Sequence, residues 1–525
     1  MAATSAKGSI NLIFGMIIST VISSVGVILL ARLLTPSEYG LVAIAWIAPN
    51  LIALFREWGL NSAATKYIAQ YSEEKEYHSL RRVALSSFIF ISTIGLILSI
   101  STFLLSDIIA SDILSRPEVA NLIRISALSV LAGGFIVISQ AVLIGLEKMG
   151  FNSILMIVRS ILVAFLSVFL VIMGQGALGA IMGTTIGLFI TGILGIVLSR
   201  KAIESNSLAR KPTVSPRIGV TTVKLLKYGL PVSIASISLG MMSQFLLLYA
   251  ALRVTDVTVG NYQVALNVII LITFISSPIN TVLMPAFSRI SHENNKLAIP
   301  AVFRFSVKIS ALVIVPCAMI MIALSEPAVV TLFGGNYPDA PFFLGLLATN
   351  YLFVIMGSHG ITNLLQGQAK TGVYLKLTMM TVLLGIPLGI VLIFIYGVAG
   401  LIVASILANV PYLIGGLRFI KVRYLAVIDW ESSVKIMISS IVAALCAYSV
   451  IVIHMMPEWM ELIIGTALFL IVYVLVISFI RTIRDDEIAI LNDSLKESGP
   501  IYRLFRPILA LMERASERQK TLDHR

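Results

Sequence analysis

The hexapeptide "GLEKMG" at residues 145–150 returns as "GQAKTG" at 367–372, 222 positions later in a chain of 525 residues. Gly145, Lys148 and Gly150 become Gly367, Lys370 and Gly372. Working outward, Gly8 and Arg32 recur as Gly229 and Arg253, and Gly176 and Gly179 as Gly397 and Gly400, each at an offset of 221. One such match is weak. Three at nearly one spacing mark an internal repeat, so the fold turns on what lies between the markers.

What lies between them is apolar. The chain is 58% hydrophobic and 12% charged, with a mean hydropathy of +0.98, whereas soluble domains carry about 25% charged residues. Continuous apolar runs predict crossings near 9–34, 39–65, 83–106, 121–146, 151–174, 177–199, 222–252, 260–287, 301–324, 341–366, 372–396, 398–420, 433–454 and 460–480. A run of about 20 residues spans a hydrocarbon core roughly 30 Å thick. Because the runs do not alternate with period two, a membrane β-barrel is excluded. The fold class is an all-α polytopic membrane protein of about 14 transmembrane helices. Six crossings per copy is an even number, so the two copies enter from the same side as parallel repeats. The predicted organisation is an N-terminal six-helix bundle (1–200), a basic linker (201–220), a second six-helix bundle (221–424), two extra helices (425–480) and a tail (481–525).

Charge sets the orientation. All but six of the 38 Lys and Arg residues fall on the side shared by both termini. The exceptions are Arg32, Arg116, Arg124 and Arg253 on the other side, and Arg56 and Arg159 within crossings. Such a bias places both termini in the cytoplasm of a multi-pass cell (plasma or inner) membrane protein. It also makes the net charge of +12 a matter of orientation and anionic lipid, not nucleic-acid binding. "MAATSAKGSI" lacks the basic region and cleavage site of a signal peptide, so the first crossing is expected to be retained. In the tail, Leu504, Ile508, Leu511 and Met512 share helical spacing beside Arg503, Arg506, Arg514 and Arg518. A basic amphipathic helix on the inner leaflet is expected there.

No phosphate-binding loop, zinc motif or nucleophile elbow is present. Cys317 and Cys446 lie inside apolar runs and read as packing residues. Asp107 and Asp112 read as carboxylates at the membrane boundary. No catalytic residue, cofactor or metal is expected, and the chain is not read as an enzyme. Gly179, Gly183 and Gly187, four residues apart, predict a close helix contact, either static or sliding. Pro49, Pro231, Pro278, Pro285, Pro316 and Pro387 predict kinks.

The polar groups inside crossings carry the functional reading, because an ionised side chain in hydrocarbon costs roughly 2.5–3.5 kcal/mol. In "LIALFREWGLNSAATKYIAQ" (51–70), Arg56 and Glu57 adjoin, and Asn50, Glu57 and Asn61 form one stripe. On a straight helix Arg56 points about 100° away from Glu57 and does not face it. It stands roughly 25 Å along the crossing at 1.5 Å per residue, where it either snorkels to the interface or lines a water-filled cavity. Arg159, Gln244, Asn267, Asn350, His359 and Asn363 are further cavity or coupling candidates. With Arg32, Arg56, Arg159 and Arg253 set against few acids, the cavity is expected to be cationic. Guanidinium groups suit phosphate, so an anionic substrate such as a diphosphate-linked lipid fits.

"ARLLTPSEYG" (31–40), "LFGGNYPDA" (332–340), "GLEKMGF" (145–151) and "GQAKTGV" (367–373) resemble motifs of the polysaccharide transporter family. That family lies within the multidrug/oligosaccharidyl-lipid/polysaccharide exporter superfamily, and the resemblance covers roughly residues 5–480. It implies a MATE-like fold and alternating access without ATP. The implied activity is that of Wzx-type flippases of lipid-linked oligosaccharides and of relatives of the lipid II flippase. It also implies that Arg32, Arg56 and Arg253 serve the diphosphate. Ion coupling to H⁺ or Na⁺ would fall to Glu57 or His359. The expected partners are a lipid-linked glycan and membrane lipids, with no nucleic acid, and the expected state is a monomer. Two rivals remain: an ion-coupled cation or drug antiporter of the same fold, and a membrane glycosyltransferase or polysaccharide polymerase.

Overall fold

A computed structural model describes residues 2–206, 218–288, 290, 298–452, 456–480 and 482. Most of the predicted linker, and all of the predicted tail except Thr482, lie outside the described residues. In chain order the helices are α1 (Ala2–Leu33), α2 (Pro36–Glu57), α3 (Leu60–Glu73), α4 (Tyr77–Leu104), the single turn α5 (Ser106–Ile108), α6 (Ala120–Gly145), α7 (Met149–Leu170) and α8 (Gly176–Asn206). They continue with α9 (Ile218–Ala251), α10 (Asp256–Ser288), α11 (Ala298–Ala323), α12 (Ser325–Phe333), α13 (Ala340–Thr349), α14 (Ser358–Gly367), α15 (Thr371–Tyr424), α16 (Trp430–Val452) and α17 (Glu458–Phe479).

Among the described residues, eleven helical stretches are long and apolar enough to cross a membrane. Two of them fold back on themselves. α7 passes through Gly174 and Gly176 (φ 50°, ψ −137°) into α8. α15 reverses at Gly397 (φ 57°, ψ −131°). These two glycines are 221 residues apart and share one backbone conformation, which a Cβ disfavours. The returning arms then pack closely. A Cβ on Gly187 would lie 3.0 Å from Val163, and one on Gly385 would lie 3.1 Å from the Ala408 Cβ. The predicted glycine stripe of α8 is therefore a packing surface against α7, its own hairpin partner. Counting both reversals, and taking Ala340–Met356 with Ser358–Gly367 as one crossing bent by 58°, the helices supply the fourteen crossings.

The opening hexapeptides are one turn used twice. Glu147 (φ 56°) and Ala369 (φ 52°) are left-handed. Lys148 N–H donates to Leu143 at 2.8 Å and Lys370 N–H to Leu365 at 2.7 Å. Glu147 and Ala369 donate to Ile144 and Gln366, each at 3.0 Å. This paired 6→1 and 5→2 pattern closes a helix C-terminus in a Schellman motif. The "TPSE" of 35–38 has its own physical content. Thr35 Oγ1 accepts from Glu38 N–H at 3.2 Å and Glu38 Oε2 accepts from Thr35 N–H at 3.0 Å, a capping box with Pro36 in the first turn.

The described residues fall into two compact units, within Met1–Asn267 with Thr378–Ala408, and within Val268–Leu377 with Asn409–Arg525. The first has one core around Leu60, Ile68, Ile91 and Val142, and another around Ile44, Ile47, Ile123 and Val259. The second packs Phe287, Phe303, Leu364 and Tyr424 together. It seats α16 and α17 on α11 through Ala443, Phe469 and Tyr473. Outward faces stay apolar, as at Leu383, Ile193 and Ile463, which suits lipid as the surrounding solvent. Pro49 and Pro316 sit inside continuous helices. The breaks instead fall at Gly59, Gly174–Gly176, Gly357 and Gly397.

Candidate functional site

The crossing that carries Arg56 is interrupted just beyond it. α2 ends at Glu57, Trp58 (φ 47°) and Gly59 (φ 76°) take left-handed conformations, and α3 begins at Leu60. Trp58 Nε1 donates to the Phe55 carbonyl, which caps the opened end. The interruption lets two neighbouring side chains meet that a straight helix would hold apart. Arg56 Nη2 lies 2.7 Å from Glu57 Oε1, so the sequence expectation that the two do not face each other is corrected here. Asn61, now on α3, donates to Glu57 Oε2 at 3.1 Å.

Arg56 is 6% exposed. Its Nη1 donates to the Val130 carbonyl at 2.6 Å, and its Nε is buried with no partner. The guanidinium lies across Gly133 and Gly134 of α6, where a Cβ on Gly133 would stand 2.8 Å from Nη1 and one on Gly134 3.1 Å from Cδ. The Gly-Gly pair is what makes room for it. Arg56 and Glu57 neutralise each other.

Arg32 at the end of α1, Asn50 on α2 and Arg159 midway along α7 are exposed. Arg253 is exposed beyond α9, its guanidinium carbon 5.0 Å from the Phe394 ring centre and 5.5 Å from that of Tyr249. Gln244 on α9 is half-buried with Oε1 unpartnered. Asn267 on α10 donates to Tyr39 Oη of α2 at 2.7 Å. In the second unit Asn350 is exposed, while Asn363 is buried. Asn363 donates to Asn280 Oδ1 at 2.8 Å and to the His359 carbonyl at 2.9 Å. His359 Nδ1 is buried without a partner. Direct hydrogen bonds thus join Arg56 to Glu57, Glu57 to Asn61, and Asn363 to His359. Among the described residues, no three His, Cys, Asp or Glu side chains are grouped as for a metal ion.

Several polar arrangements escaped the sequence reading. Arg116 Nε pairs with Asp256 at 2.6 Å, and its Nη atoms donate to the Ala251 and Val254 carbonyls at 2.6 and 2.8 Å. Lys308 is buried within α11, although by sequence it counts among the inner-side charges. The signal for the Arg56 seat was the Gly-Gly pair inside an apolar run. No comparable signal marks Arg116 and Asp256, which meet across 140 residues.

Comparison with known proteins follows the fold. Residues 5–291 match the family described as polysaccharide biosynthesis protein. The succinoglycan biosynthesis transport protein ExoT of Rhizobium meliloti (strain 1021) is 25% identical over 61% of this chain, and the match spans only 60% of ExoT. The probable low-salt glycan biosynthesis flippase Agl15 of Haloferax volcanii is 23% identical over 77% of this chain and 80% of its own length. Among solved structures, the lipid II flippase MurJ in an inward closed conformation superposes with a TM-score of 0.68 at 15% identity, covering 89% of this chain and 98% of MurJ. An inward-facing multidrug resistance MATE family transporter superposes with a TM-score of 0.60 at 18% identity, covering 78% and 94%. At those identities the likeness is one of fold.

Proposed function

The chain belongs to the polysaccharide biosynthesis protein family, and from that premise we propose that it is a flippase for a lipid-linked (isoprenoid diphosphate) oligosaccharide or polysaccharide precursor. It is a transporter, not an enzyme. It carries its substrate from the cytoplasmic to the outer leaflet by alternating access of two six-helix halves, 1–200 and 221–424. It acts as a monomer in the cell membrane with both termini in the cytoplasm.

One observation carries this reading: Arg32, Arg159 and Arg253 are exposed on, or at the ends of, otherwise apolar crossing helices. A guanidinium facing hydrocarbon is costly, so these groups face water or an anion. Their planar donors suit the oxygens of a diphosphate. Asn50, Asn61, Gln244, Asn267, Asn350 and Asn363 then offer amides to glycan hydroxyls. Glu57 and His359 serve H⁺ or Na⁺ coupling. Protonating Glu57 would release Arg56 from its ion pair and free a cation for the substrate. The names of ExoT and Agl15 support the class of cargo.

Deleting the gene should leave lipid-linked glycan facing the cytoplasm, as read by a lipid-linked glycan profile and by surface glycan. Normal surface glycan in a clean deletion without a paralogue would sink the reading. Drug hypersensitivity of the same strain, with surface glycan intact, would point to a cation antiporter instead.

A further inference from the structure

α3 and α9 are held together by a reciprocal pair of lysines and tyrosines. Lys66 of α3 places its ammonium 4.0 Å from the ring centre of Tyr228 on α9. Lys224 of α9 places its own 4.4 Å from the ring centre of Tyr67 on α3 and donates to Tyr71 Oη at 2.8 Å. The Tyr67 ring meets Tyr228 edge-on at 5.9 Å and stacks on Tyr71 at 6.2 Å. Each helix thus lends a cation to an aromatic face of the other. Just inside this clasp the two backbones touch, because a Cβ on Gly59 would overlap the Gly229 carbonyl and the Ser233 hydroxyl. Both lysines are exposed, whereas Tyr67 and Tyr71 are half-buried.

We propose that this clasp closes the inner end of the transport path and is also the first docking site for the substrate's diphosphate, which opens the clasp by drawing Lys66 and Lys224 off the tyrosine faces. The proposal rests on the flippase reading above for the identity of the cargo.

The chemistry favours the exchange. A cation held over a ring at an exposed site is weakly bound, while hydrogen bonds between an ammonium and a phosphate oxygen are charge-assisted, shorter and stronger. Two ammoniums bracketing one ring match the charge of a diphosphate, and Glu74 is the acid that acts on Lys224. Once vacated, the three phenol faces offer amphipathic surfaces of the kind that pack against a sugar. Opening by substrate charge would keep the inner end shut against small ions when no cargo is present. A population shift of this kind requires that the ligand prefer the open state, and the released ammoniums supply that preference.

The test uses purified full-length protein in lipid nanodiscs, carrying Ser233→Cys with Cys317→Ser and Cys446→Ser, and a membrane-impermeant thiol reagent. Farnesyl diphosphate should raise the labelling rate at 233 severalfold, and farnesyl monophosphate should do less. Lys66→Gln with Lys224→Gln should label fast without any probe and bind farnesyl diphosphate about tenfold more weakly. Tyr67→Leu with Tyr228→Leu should also label fast yet keep its diphosphate affinity, which separates a lost clasp from a lost site. Unchanged diphosphate affinity in the double-lysine variant would overturn the proposal. So would a labelling response that follows phosphatidylglycerol content, or one that inorganic diphosphate reproduces in full. A normal glycan phenotype on deletion, with a diphosphate-responsive clasp, would remove the flippase reading and leave the clasp. An unresponsive clasp with the deletion phenotype present would remove the clasp alone.

Discussion

Arg56 is held by three things at once: the Val130 carbonyl, the Glu57 carboxylate and the floor provided by Gly133 and Gly134. Each makes a separate demand on the sequence. Gly133→Ala would put a methyl group against Nη1 and push the guanidinium off the Val130 carbonyl. Overpacking of this kind costs about 1–3 kcal/mol, so thermal unfolding in detergent should shift down, and transport read as surface glycan should fall with it. Arg56→Lys should restore only part of the transport lost in Arg56→Ala, because one ammonium cannot serve the carbonyl and the carboxylate in the same two directions. Full activity in the Lys variant, measured by surface glycan, would leave Arg56 as a simple charge. The residues of this site were legible in the sequence, but their arrangement was not. Placing Arg56 about 100° from Glu57 assumes an unbroken helix, and Trp58 and Gly59 break it. Nothing in "REWGLN" announces a left-handed tryptophan.

Turns were read more securely than side chains, because a turn constrains the backbone directly. The "GLEKMG" and "GQAKTG" segments carry the same Schellman bonds, and Gly176 and Gly397 the same reversal. The repeated markers were therefore repeated geometry. One consequence is testable. Glu147 and Ala369 both hold a left-handed φ, which costs a residue bearing a Cβ roughly 1–2 kcal/mol, partly offset by the chain entropy that glycine loses. Glu147→Gly and Ala369→Gly should each raise the unfolding temperature by similar, small amounts. A gain at one and a loss at the other would mean that the two turns differ in use. The clasp between α3 and α9 carries a prediction of its own. The hydrogen bond to Tyr71 holds the Lys224 pKa above the usual lysine value; desolvation opposes it, and the charges of Tyr71, Tyr67 and Glu74 add to the rise. A raised lysine pKa means that the contribution is fully present below the ordinary value near 10.5 and is lost only as pH rises through the higher value. Because the thiolate is the reacting form, the rate at position 233 is divided by that of a fully exposed cysteine at the same pH, and that ratio should be flat from about pH 6 to about pH 9. A step near neutrality would identify a different group as the latch.

The crossing formed by α2 and α3 is engaged at both of its ends, and this bears on how the whole molecule works. At one end α3 meets α9 through the lysine–tyrosine clasp and the Gly59–Gly229 approach. At the other, α2 meets the start of α10, where Gly40 lies against the Asp256 carbonyl and Gly260 against the Pro36 carbonyl. Beside that contact the Arg116–Asp256 pair ties the segment before α6 to the start of α10. With side chains only 14% and 23% exposed, it is better shielded from solvent than a surface pair of median worth about 0–1 kcal/mol. Alternating access requires that the two closures not be open together. Weakening one should then shift the protein toward opening at that end and away from opening at the other. Asp256→Asn, in the background lacking Cys317 and Cys446, should speed impermeant labelling of Gln263→Cys from outside and slow labelling of Ser233→Cys from inside. The double Lys66→Gln, Lys224→Gln variant should do the reverse. Combining both sets should return the two rates toward their starting balance, since each bias cancels the other. If either single set accelerates labelling at both positions, the two ends are independent doors, and the path is a leak that opens by fluctuation. A fall at one position that accompanies every rise at the other is the signature that a carrier must show and a channel cannot.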